Sequence, residues 1–393
     1  MDCSQVKSAV RGKKVVILGS TGSIGESALK VARELGPDQM QVVGLAAGTR
    51  HEELAKQAKE FEVKEVCIFD ETRRDALASL LPDARVSAGA KGLEELATLA
   101  GADMVLVSII GTGGLLPTLA AIEAGKDLAI ASKEILVMAG EVVMTAAREK
   151  GVNVLPVDSE HNAIFQCLEG RTSAEVSRLI LTASGGPFRT WEKDKLPEVT
   201  LAQALKHPTW DMGQKITIDS ATMFNKGLEM IEARWLFGVG MEKVDVIVHP
   251  QSIVHSMVEY VDGSILAQLS TTDMCFPIQY AVTWPERRPT GLEPLDFAKL
   301  ASLDFEAVRE DAFPAVRLAR EAGLTGGALP AILNAANEVA VEAFVKGALS
   351  FTGIAEVVEE TMTTLSDLSA ENLPAILEAD TRSREVARGL ISK

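Results

Sequence analysis

The sequence predicts an α/β protein that begins with a doubly wound parallel sheet, continues with a central α+β segment and ends with an all-α helical bundle. Short β-branched runs alternate with helix-like segments over residues 1–150. A two-residue hairpin signal lies in the middle of the chain, and no clear strand pattern follows residue 313. Alternation of strands and helices is typical of a parallel sheet, whereas a separate run of helices predicts a second layer or domain.

Six apolar runs in the first part have the length and composition of buried strands. They are residues 15–18, 42–46, 65–69, 104–109, 128–131 and 154–157. Continuous apolar runs with helices between them are typical of a parallel sheet that is covered on both faces. The order of these segments therefore predicts a doubly wound sheet of the Rossmann-like kind.

The middle of the chain has a different pattern. Residues 178–182, 215–218 and 245–248 read as strands, and runs 253–260 and 264–269 flank Asp262-Gly263. An Asp-Gly pair between two alternating runs is a strong signal for an antiparallel hairpin. This segment is therefore predicted to be α+β.

Helix patterns cover residues 328–345, 354–365 and 384–391, and Pro330 suits a first helical turn. A run rich in proline, 284–294, begins the connection to them. The predicted division is a nucleotide-binding domain at 1–150, a connective catalytic domain at 151–286, a linker at 287–312 and a helical domain at 313–393.

Charge and cysteine content exclude several classes of protein. The 39 Lys and Arg residues against 55 Asp and Glu residues give a formal charge of −16, which disfavours general binding to nucleic acid or to an anionic membrane. The cysteines, Cys3, Cys67, Cys167 and Cys275, form no Cys-x-x-Cys pair, so neither a disulfide framework nor a thiolate metal site is expected. The most apolar window, 104–122, is interrupted by glycines and a proline, and the amino terminus has no apolar signal segment. A cytoplasmic protein is expected.

A glycine-rich loop follows the first predicted strand. Gly19, Gly22 and Gly25 lie between that strand and a helix-like segment at 26–35. Glycines at such a junction let a phosphate approach the free N–H groups of the helix, so a dinucleotide site is predicted. The turn after the second strand carries Arg50 and no acid before Glu52, which favours NADP over NAD. The alternative is that Arg50 is a solvated loop cation.

Two groups of polar residues predict a metal and phosphate site. Asp158 and Glu160 follow an apolar strand. Residues two apart in an extended chain share a face, so these two carboxylates would lie close together and repel each other. A hard divalent cation between them would relieve that repulsion. Asn225, Lys226 and Glu229 share one helical turn after Ser220, which is a plausible N-cap. The alternatives are two solvated acids at a strand end and an exposed Lys–Glu pair.

Two glycine- and proline-bounded turns complete the candidate residues. Ser184 opens a Gly-Gly-Pro turn, where a hydroxyl and free backbone N–H groups suit an anion. His207, Trp210 and Met212 lie in residues 207–213, here called the lid, which is predicted to close over a ligand. The alternatives are a surface histidine and local packing of the tryptophan. The other histidines, His161, His249 and His255, are weaker candidates.

The motifs together resemble the 1-deoxy-D-xylulose 5-phosphate reductoisomerase family, in family order over nearly the whole chain. They are GSTGSIG (19–25), SKE (132–134), LPVDSEHNAIFQ (155–166), TASGGPF (182–188), HPTWDMG (207–213), DSATMFNKGLE (219–229), VHPQSIVHS (248–256) and LNAANEVAV (333–341). The resemblance implies a homodimer that uses NADPH and Mg²⁺ or Mn²⁺. The implied reaction rearranges 1-deoxy-D-xylulose 5-phosphate to an aldehyde, which is reduced to 2-C-methyl-D-erythritol 4-phosphate for isoprenoid biosynthesis.

The resemblance also implies a role for each matching residue. The implied metal ligands are Asp158, Glu160 and Glu229. Those implied for the substrate phosphate are Ser184, His207, Ser220, Asn225 and Lys226, while Lys133, Ser159, Trp210 and Met212 would contact the rest of the substrate. The implied NADPH contacts are Gly19, Thr21, Gly22, Ser23, Ile24, Gly48, Arg50, Ser132, Glu134 and Gly213.

Two competing functions are compatible with parts of this pattern. A different NADP-dependent oxidoreductase, acting on a small phosphorylated or carboxylated aldehyde, predicts no metal dependence and no role for Asp158. A non-catalytic NADP-binding scaffold predicts nucleotide binding that survives the loss of Glu229. Three converging carboxylates argue against the scaffold.

Overall fold

The computed structural model describes residues 12–210 and 212–392, so Cys3 and Asp211 lie outside the described residues. The strands are β1 Lys13–Leu18, β2 Met40–Ala47, β3 Glu65–Ile68, β4 Arg85–Ala88, β5 Met104–Val107, β6 Asp127–Ile130, β7 Val154–Pro156, β8 Val176–Ala183, β9 Val244–Val248, β10 Val254–Tyr260 and β11 Ile265–Leu269. The helices are α1 Ser23–Leu35, α2 His51–Glu60, α3 Arg74–Leu80, α4 Gly89–Ala97, α5 Leu115–Glu123, α6 Lys133–Lys150, α7 Ser159–Leu168, α8 Leu201–Ala204, α9 Gln214–Thr222, α10 Phe224–Phe237, α11 Cys275–Thr283, α12 Phe297–Leu300, α13 Ala315–Thr325, α14 Leu329–Val345, α15 Gly353–Thr364 and α16 Leu373–Ile391.

The first sheet has seven parallel strands in the order β4-β3-β2-β1-β5-β6-β7. This confirms the predicted doubly wound α/β architecture. All six predicted strands form, within two residues of their expected ends. The short edge strand β4 was not predicted, because its four residues, RVSA, are partly exposed and carry no apolar run.

The strand order reverses between β1 and β5, which are adjacent in the sheet although they are distant in sequence. In open parallel sheets a ligand binds at such a switch point, beyond the carboxyl ends of the strands. All four residues of β5 are buried, and helices cover both faces of the sheet. The glycine-rich loop follows β1 and therefore opens into this crevice.

The second sheet has the order β11-β10-β8-β9. Strands β10 and β11 pair antiparallel across Asp262-Gly263, which confirms the predicted hairpin. Strand β10 is also antiparallel to β8, and β9 is parallel to β8. The middle of the chain is therefore α+β, as predicted.

One element of the middle segment was predicted wrongly. Residues 215–218, expected to be a strand, lie in helix α9. The tertiary structure buries Thr217, Ile218 and Ala221 of this helix. Lys215 Nζ lies 2.7 Å from Asp219 Oδ2, a pairing at the i, i+4 spacing that supports helical structure. A four-residue window does not contain this information.

The carboxyl-terminal part is an all-helical bundle of α13–α16, as predicted. Helix α14 lies at its centre and contacts α13, α15 and α16, and it also contacts α6 and α9 of the preceding parts. Helix α10 packs against α6 and α13, so the bundle and the first two parts share apolar packing. No helix in the described ranges is long and apolar enough to cross a membrane.

Candidate active site

A cleft of about 350 Å³ lies between the first sheet, α10 and the lid, and most of the predicted site residues line it. The predicted residues that line it are Ser23, Ile24, Lys133, Asp158, Ser159, Glu160, Ser184, His207, Trp210, Met212, Ser220, Asn225, Lys226 and Glu229. They come from segments as far apart as α1 and α10, so the cleft is assembled only by the tertiary fold.

Three carboxylates meet in the cleft. One oxygen from each of Asp158, Glu160 and Glu229 lies within 4.8 Å of the others. The predicted reason for the closeness of the first two was wrong, since residues 158–160 are not extended. Asp158 is instead the N-cap of α7 and accepts a hydrogen bond from the backbone N–H of Glu160 (3.3 Å). A first helical turn brings the two side chains together here, and α10 adds Glu229.

Two buried ammonium groups lie among these carboxylates. Lys133 Nζ is 2.6 Å from Asp158 Oδ2 and 2.8 Å from Glu229 Oε1. Lys226 Nζ is 2.7 Å from Glu160 Oε1 and also contacts Glu229. Burial lowers the pKa of each lysine, but the surrounding carboxylates outweigh it and raise both pKa values above their ordinary range. Both lysines therefore stay charged.

The pKa values of two of the acids, Glu160 and Asp158, are shifted in opposite directions. Burial, together with the charges of Glu229 and Asp158, raises the pKa of Glu160 above its usual range. Burial also opposes ionisation of Asp158, but Lys133 lowers its pKa well below the usual range. Three carboxylates this close together repel one another unless cations lie between them. An oxygen-only donor set of three carboxylates is what Mg²⁺ and Mn²⁺ prefer, so these residues suit such an ion.

His161 lies behind the acids rather than in the cleft. It is fully buried in α7, and its Nε2 donates to the backbone carbonyl oxygen of Glu229 (2.9 Å). Its Nδ1 is 3.3 Å from Asp158 Oδ1 and 3.5 Å from Glu232 Oε2. Although burial opposes it, the nearby carboxylates raise the pKa of His161 to about 9. His161 was a weak candidate from the sequence. In the structure it contacts the side chain of Asp158 and the backbone of Glu229.

His207 connects two serines. Its Nε2 is 3.0 Å from both Ser184 Oγ and Ser220 Oγ, while its Nδ1 accepts hydrogen bonds from the backbone N–H groups of Thr209 and Trp210. Because Nδ1 is an acceptor, Nε2 carries the proton of the neutral ring. Burial lowers the pKa of His207 to about 4, so the ring is neutral at pH 7.

The helix start beside these serines differs from the prediction. Ser220 is not an N-cap but lies inside α9, and Met223 at φ 68° separates α9 from α10. Asn225 and Lys226 occupy the first turn of α10. Asn225 Nδ2 donates to Glu229 Oε1 (2.5 Å), and its Oδ1 accepts from Lys133 (2.8 Å). Two helices, rather than one, therefore present the hydroxyl, amide and ammonium groups to the cleft.

The lid lies over the opposite wall of the cleft. The Trp210 ring is 6.4 Å from the ring of His255, measured between centroids. His255 is buried, and its Nε2 is 2.8 Å from Ser270 Oγ. Met212 lines the same cleft, and Gly213 forms the N-cap of α9. The lid is thus continuous with the helix that carries Ser220.

The glycine-rich loop has the geometry expected of a phosphate-binding turn. Gly19 has φ +96°, and a Cβ there would lie 2.6 Å from the carbonyl oxygen of Ser108. A Cβ at Gly25 would lie 2.3 Å from the carbonyl oxygen of Gly19, so helix α1 approaches the loop more closely than other residues allow. Gly22 is the N-cap of α1 and no side chain caps the helix, which leaves its first N–H groups for an anion.

The remaining predicted cofactor residues lie outside the cleft lining. Gly48 and Arg50 follow β2 and are exposed, with Arg50 at the N-cap of α2, and Thr21 is buried in the glycine-rich loop. Ser132 Oγ donates to the carbonyl oxygen of Ile109 (2.5 Å). Glu134 Oε1 accepts from Lys215 Nζ (3.2 Å). These positions follow the carboxyl ends of β1, β2 and β6.

Several lining residues were not assigned to the site from the sequence. They are Ser27, Ala131, Thr182, Ala183, Gly185, Thr209, Ile216, Met223, Ser252, His255, Thr272, Asp273 and Met274. The motif at 248–256 contained Ser252 and His255, but neither residue was assigned to the site, and His255 was only a weaker candidate. The segment 272–274 carried no recognisable signal, because a loop residue's position over a cleft depends on distant parts of the chain.

Three family models match the chain in succession. A model described as 1-deoxy-D-xylulose 5-phosphate reductoisomerase matches residues 15–140. A model of the C-terminal domain of the same reductoisomerase matches residues 154–237, and a second, described as DXP reductoisomerase C-terminal domain, matches residues 269–386.

Individual relatives agree with these matches. The 1-deoxy-D-xylulose 5-phosphate reductoisomerase of Geobacter metallireducens is 51% identical over 96% of this chain and 99% of its own length. The enzyme of that name from Chlorobaculum tepidum is 51% identical over 96% of this chain and 100% of its own.

Solved structures show the same similarity. The reductoisomerase from Zymomonas mobilis in complex with NADPH has a TM-score of 0.91 at 46% identity, covering 97% of this chain and 99% of that one. DOX-P reductoisomerase in complex with NADPH, fosmidomycin and magnesium has a TM-score of 0.91 at 40% identity, covering 97% of this chain and 98% of that one.

Proposed function

This chain belongs to the 1-deoxy-D-xylulose 5-phosphate reductoisomerase family, and from that premise we propose which of its residues perform each part of the reaction. It is an NADPH-dependent oxidoreductase that requires a divalent metal ion and converts 1-deoxy-D-xylulose 5-phosphate to 2-C-methyl-D-erythritol 4-phosphate, for isoprenoid biosynthesis. The observation that carries the assignment of residues is the convergence of three carboxylates beside two serines, an amide and a lysine in one cleft.

Asp158, Glu160 and Glu229 hold the metal ion. One oxygen of each lies within 4.8 Å of the others, and carboxylates this close repel one another unless cations lie between them. When bound there, Mg²⁺ or Mn²⁺ supplies Lewis-acid polarisation of the substrate carbonyl and its neighbouring hydroxyl. His161 supports the arrangement, because it donates to the Glu229 backbone and lies against Asp158.

The substrate phosphate is held by Ser184, His207, Ser220, Asn225 and Lys226. His207 Nε2 lies 3.0 Å from both serine hydroxyls, so polar groups from three segments meet in one place. Lys226 adds a positive charge from the first turn of α10. Binding energy from this remote group holds the reacting carbons in position at the other end of the cleft.

Lys133 and Ser159 contact the substrate near the reacting carbons. Lys133 is buried and remains charged at neutral pH, which suits it to stabilise negative charge that develops on a substrate oxygen. Trp210 and Met212 of the lid cover the opposite side. A closed lid keeps water from the aldehyde that forms before reduction.

The glycine-rich loop binds the NADPH pyrophosphate through Gly19, Thr21, Gly22, Ser23 and Ile24, and Gly48, Ser132, Glu134 and Gly213 line the rest of that site. The uncapped start of α1 supports this assignment. Arg50, exposed at the start of α2, contacts the 2′-phosphate. NADPH supplies the hydride to the substrate when it is bound.

A homodimer forms through the edge of the second sheet. Strand β11 pairs with β10 on one side only among the described residues. Ile265 and Leu266 are 50% and 41% exposed on it, and Val261 in the adjoining turn is 69% exposed. An unpaired strand edge with exposed apolar side chains is a natural surface for a second copy.

The protein is cytoplasmic, and its chain divides into the domains 1–150, 151–286 and 313–393 with a linker at 287–312. The described cysteines, Cys67, Cys167 and Cys275, are free and buried, which supports a reducing compartment. For the domains, the support is the run of helices after the second sheet, although β7 extends the first sheet as far as Pro156.

The assignment is tested by following NADPH oxidation with 1-deoxy-D-xylulose 5-phosphate after chelation, with and without added Mg²⁺ or Mn²⁺. We expect turnover only when the metal is present. We expect the Asp158→Asn variant to lose this metal-dependent turnover. Full activity of that variant at ordinary metal concentration would contradict the ligand assignment.

A further inference from the structure

The motif LNAANEVAV at 333–341 has no role in the site described above, although it lies in the central helix of the bundle. Helix α14 is apolar and largely buried, yet it carries two fully buried asparagines, Asn334 and Asn337. A buried amide is costly unless it forms hydrogen bonds, so the partner of each asparagine indicates what it does.

Asn337 reaches out of the bundle. Its Nδ2 donates to Asp219 Oδ1 over 2.8 Å, joining α14 to α9, and both residues are buried. A hydrogen bond to a carboxylate is stronger than one between neutral groups, and burial removes competing water. The contact is therefore a defined link between the carboxyl-terminal bundle and the helix that follows the lid.

Asp219 is held from a second direction as well. Its other oxygen, Oδ2, accepts from Lys215 Nζ (2.7 Å), and the same ammonium is 3.2 Å from Glu134 Oε1 on α6. One oxygen of Asp219 is thus held by the bundle, and the other by a lysine of α9 that also reaches the first domain. Helix α9 is therefore tied to α14 through Asp219 and to α6 through Lys215, and two such links leave it little freedom to rotate about its axis.

The rotation of α9 matters because Ser220 is the next residue. Neighbouring residues in an α-helix point about 100° apart, so a helix that turns Asp219 toward the bundle turns Ser220 toward a different side. Ser220 Oγ faces the cleft, 3.0 Å from His207 Nε2. Holding Asp219 therefore sets the direction of the Ser220 hydroxyl.

We propose that Asn337 is a positioning residue of the phosphate site, which holds Asp219 and thereby aims Ser220 at the substrate phosphate. This inference rests on the proposed function, because it takes Ser220 as a phosphate contact. It assigns the carboxyl-terminal bundle a part in substrate binding, beyond its part in packing.

Asn334 provides the matched control. It is equally buried in the same helix, but its Nδ2 donates to Glu338 of α14 itself (3.3 Å), not to α9. We expect Asn337→Ala to raise the KM for 1-deoxy-D-xylulose 5-phosphate about tenfold, with kcat and the Kd for NADPH changed less than twofold. Asn334→Ala is expected to leave this KM within twofold, even where its loss of thermal stability is similar. Equal KM values in the two variants would overturn the inference.

A double-variant comparison separates this inference from the proposed function. If Asn337 acts through Ser220, the KM of Ser220→Ala combined with Asn337→Ala equals that of Ser220→Ala alone. If the double variant instead multiplies the KM increases of the two single variants, the inference is overturned, but the proposed phosphate site is not contradicted. An unchanged KM in Ser220→Ala would instead contradict the proposed phosphate contact and the inference with it.

A charge exchange decides the question if Asn337→Ala does not fold. Asn337→Asp places a carboxylate against Asp219 and is expected to raise the KM more than tenfold. Adding Asp219→Asn restores an amide–carboxylate pair and leaves an amide oxygen for Lys215, so most of the KM increase is expected to disappear. A double variant no better than Asn337→Asp would overturn the inference.

Discussion

Lys226 and Glu160 form a partly buried ion pair, with 2.7 Å between Nζ and Oε1, although 66 residues separate them in the chain. The pair joins a residue assigned to the phosphate with a residue assigned to the metal. Lys226 also contacts Glu229, so its charge is shared between two of the three acids. Metal and phosphate binding are therefore adjacent functions of one charged cluster, and single substitutions can separate them.

Replacing Lys226 with alanine is expected to weaken the binding of the substrate and not that of the cofactor. A hydrogen bond to a charged group contributes about 1.5–3 kcal/mol, so the KM for 1-deoxy-D-xylulose 5-phosphate should rise roughly tenfold to a hundredfold. The measurement is steady-state kinetics together with the Kd for NADPH from its fluorescence. Lys206→Ala, an exposed lysine just before the lid, is the control. Equal loss of substrate and cofactor affinity in Lys226→Ala would contradict the site assignment.

The Glu160→Gln substitution tests the metal site. It removes an anionic ligand while keeping the size of the side chain, so we expect turnover to be abolished and NADPH binding to persist. Turnover is measured over a range of Mg²⁺ concentrations, with Kd for NADPH measured separately. Glu169→Gln, at the exposed end of the same helix, should behave as the parent protein. Near-normal metal-dependent activity in Glu160→Gln would refute the ligand assignment.

Arg50→Ala tests the choice between the two nicotinamide cofactors. If the guanidinium contacts the 2′-phosphate, the KM for NADPH should rise about tenfold or more, since a charge-assisted hydrogen bond of 1.5–3 kcal/mol is lost. The KM for NADH, which lacks that phosphate, should not change. Arg73→Ala, an exposed arginine of the same domain, serves as the control. A parallel rise in both KM values would show that Arg50 does not discriminate between the cofactors.

His255 gives an expected pH dependence of stability. Burial lowers its pKa from 6.5 to about 4, so the folded protein binds fewer protons here than the unfolded chain does. Its contribution to stability is therefore complete above pH 6.5 and is lost as the pH falls toward 4. Between pH 8 and pH 5 the loss amounts to about 2 kcal/mol.

The measurement is the urea midpoint of unfolding at pH 8 and at pH 5. His255→Gln should show a smaller difference between the two midpoints than the parent protein. His51→Gln, outside the cleft, should keep the full difference. The assignment fails if His255→Gln keeps it as well.

Local patterns predicted most of the fold. The buried strands of the first sheet, the Asp262-Gly263 hairpin and the helix at Leu329–Val345 formed as expected, because each has a periodicity or turn chemistry contained in adjacent residues. The strand expected at 215–218 became part of α9, because its ion pair with Asp219 and its burial lie outside the window that suggested a strand.

Prediction of the site was uneven for the same reason. Asp158 and Glu160 were paired correctly but through the wrong backbone geometry, since a helix cap rather than an extended strand joins them. Ser220 was expected to cap a helix and lies inside one. His255 was only a weaker candidate, yet it lines the cleft, with its ring 6.4 Å from that of Trp210 between centroids.

By itself, the sequence determined the order of the three architectural parts, the glycine-rich turn and the chemical types of the polar residues, since these depend on neighbours in the chain. The resemblance implied that Glu229 joins Asp158 and Glu160, but only the tertiary structure decided that two lysines lie among these acids and that Asn337 reaches Asp219. The physical reason is that contacts between distant segments depend on how helices and sheets pack, and packing is a property of the whole folded chain.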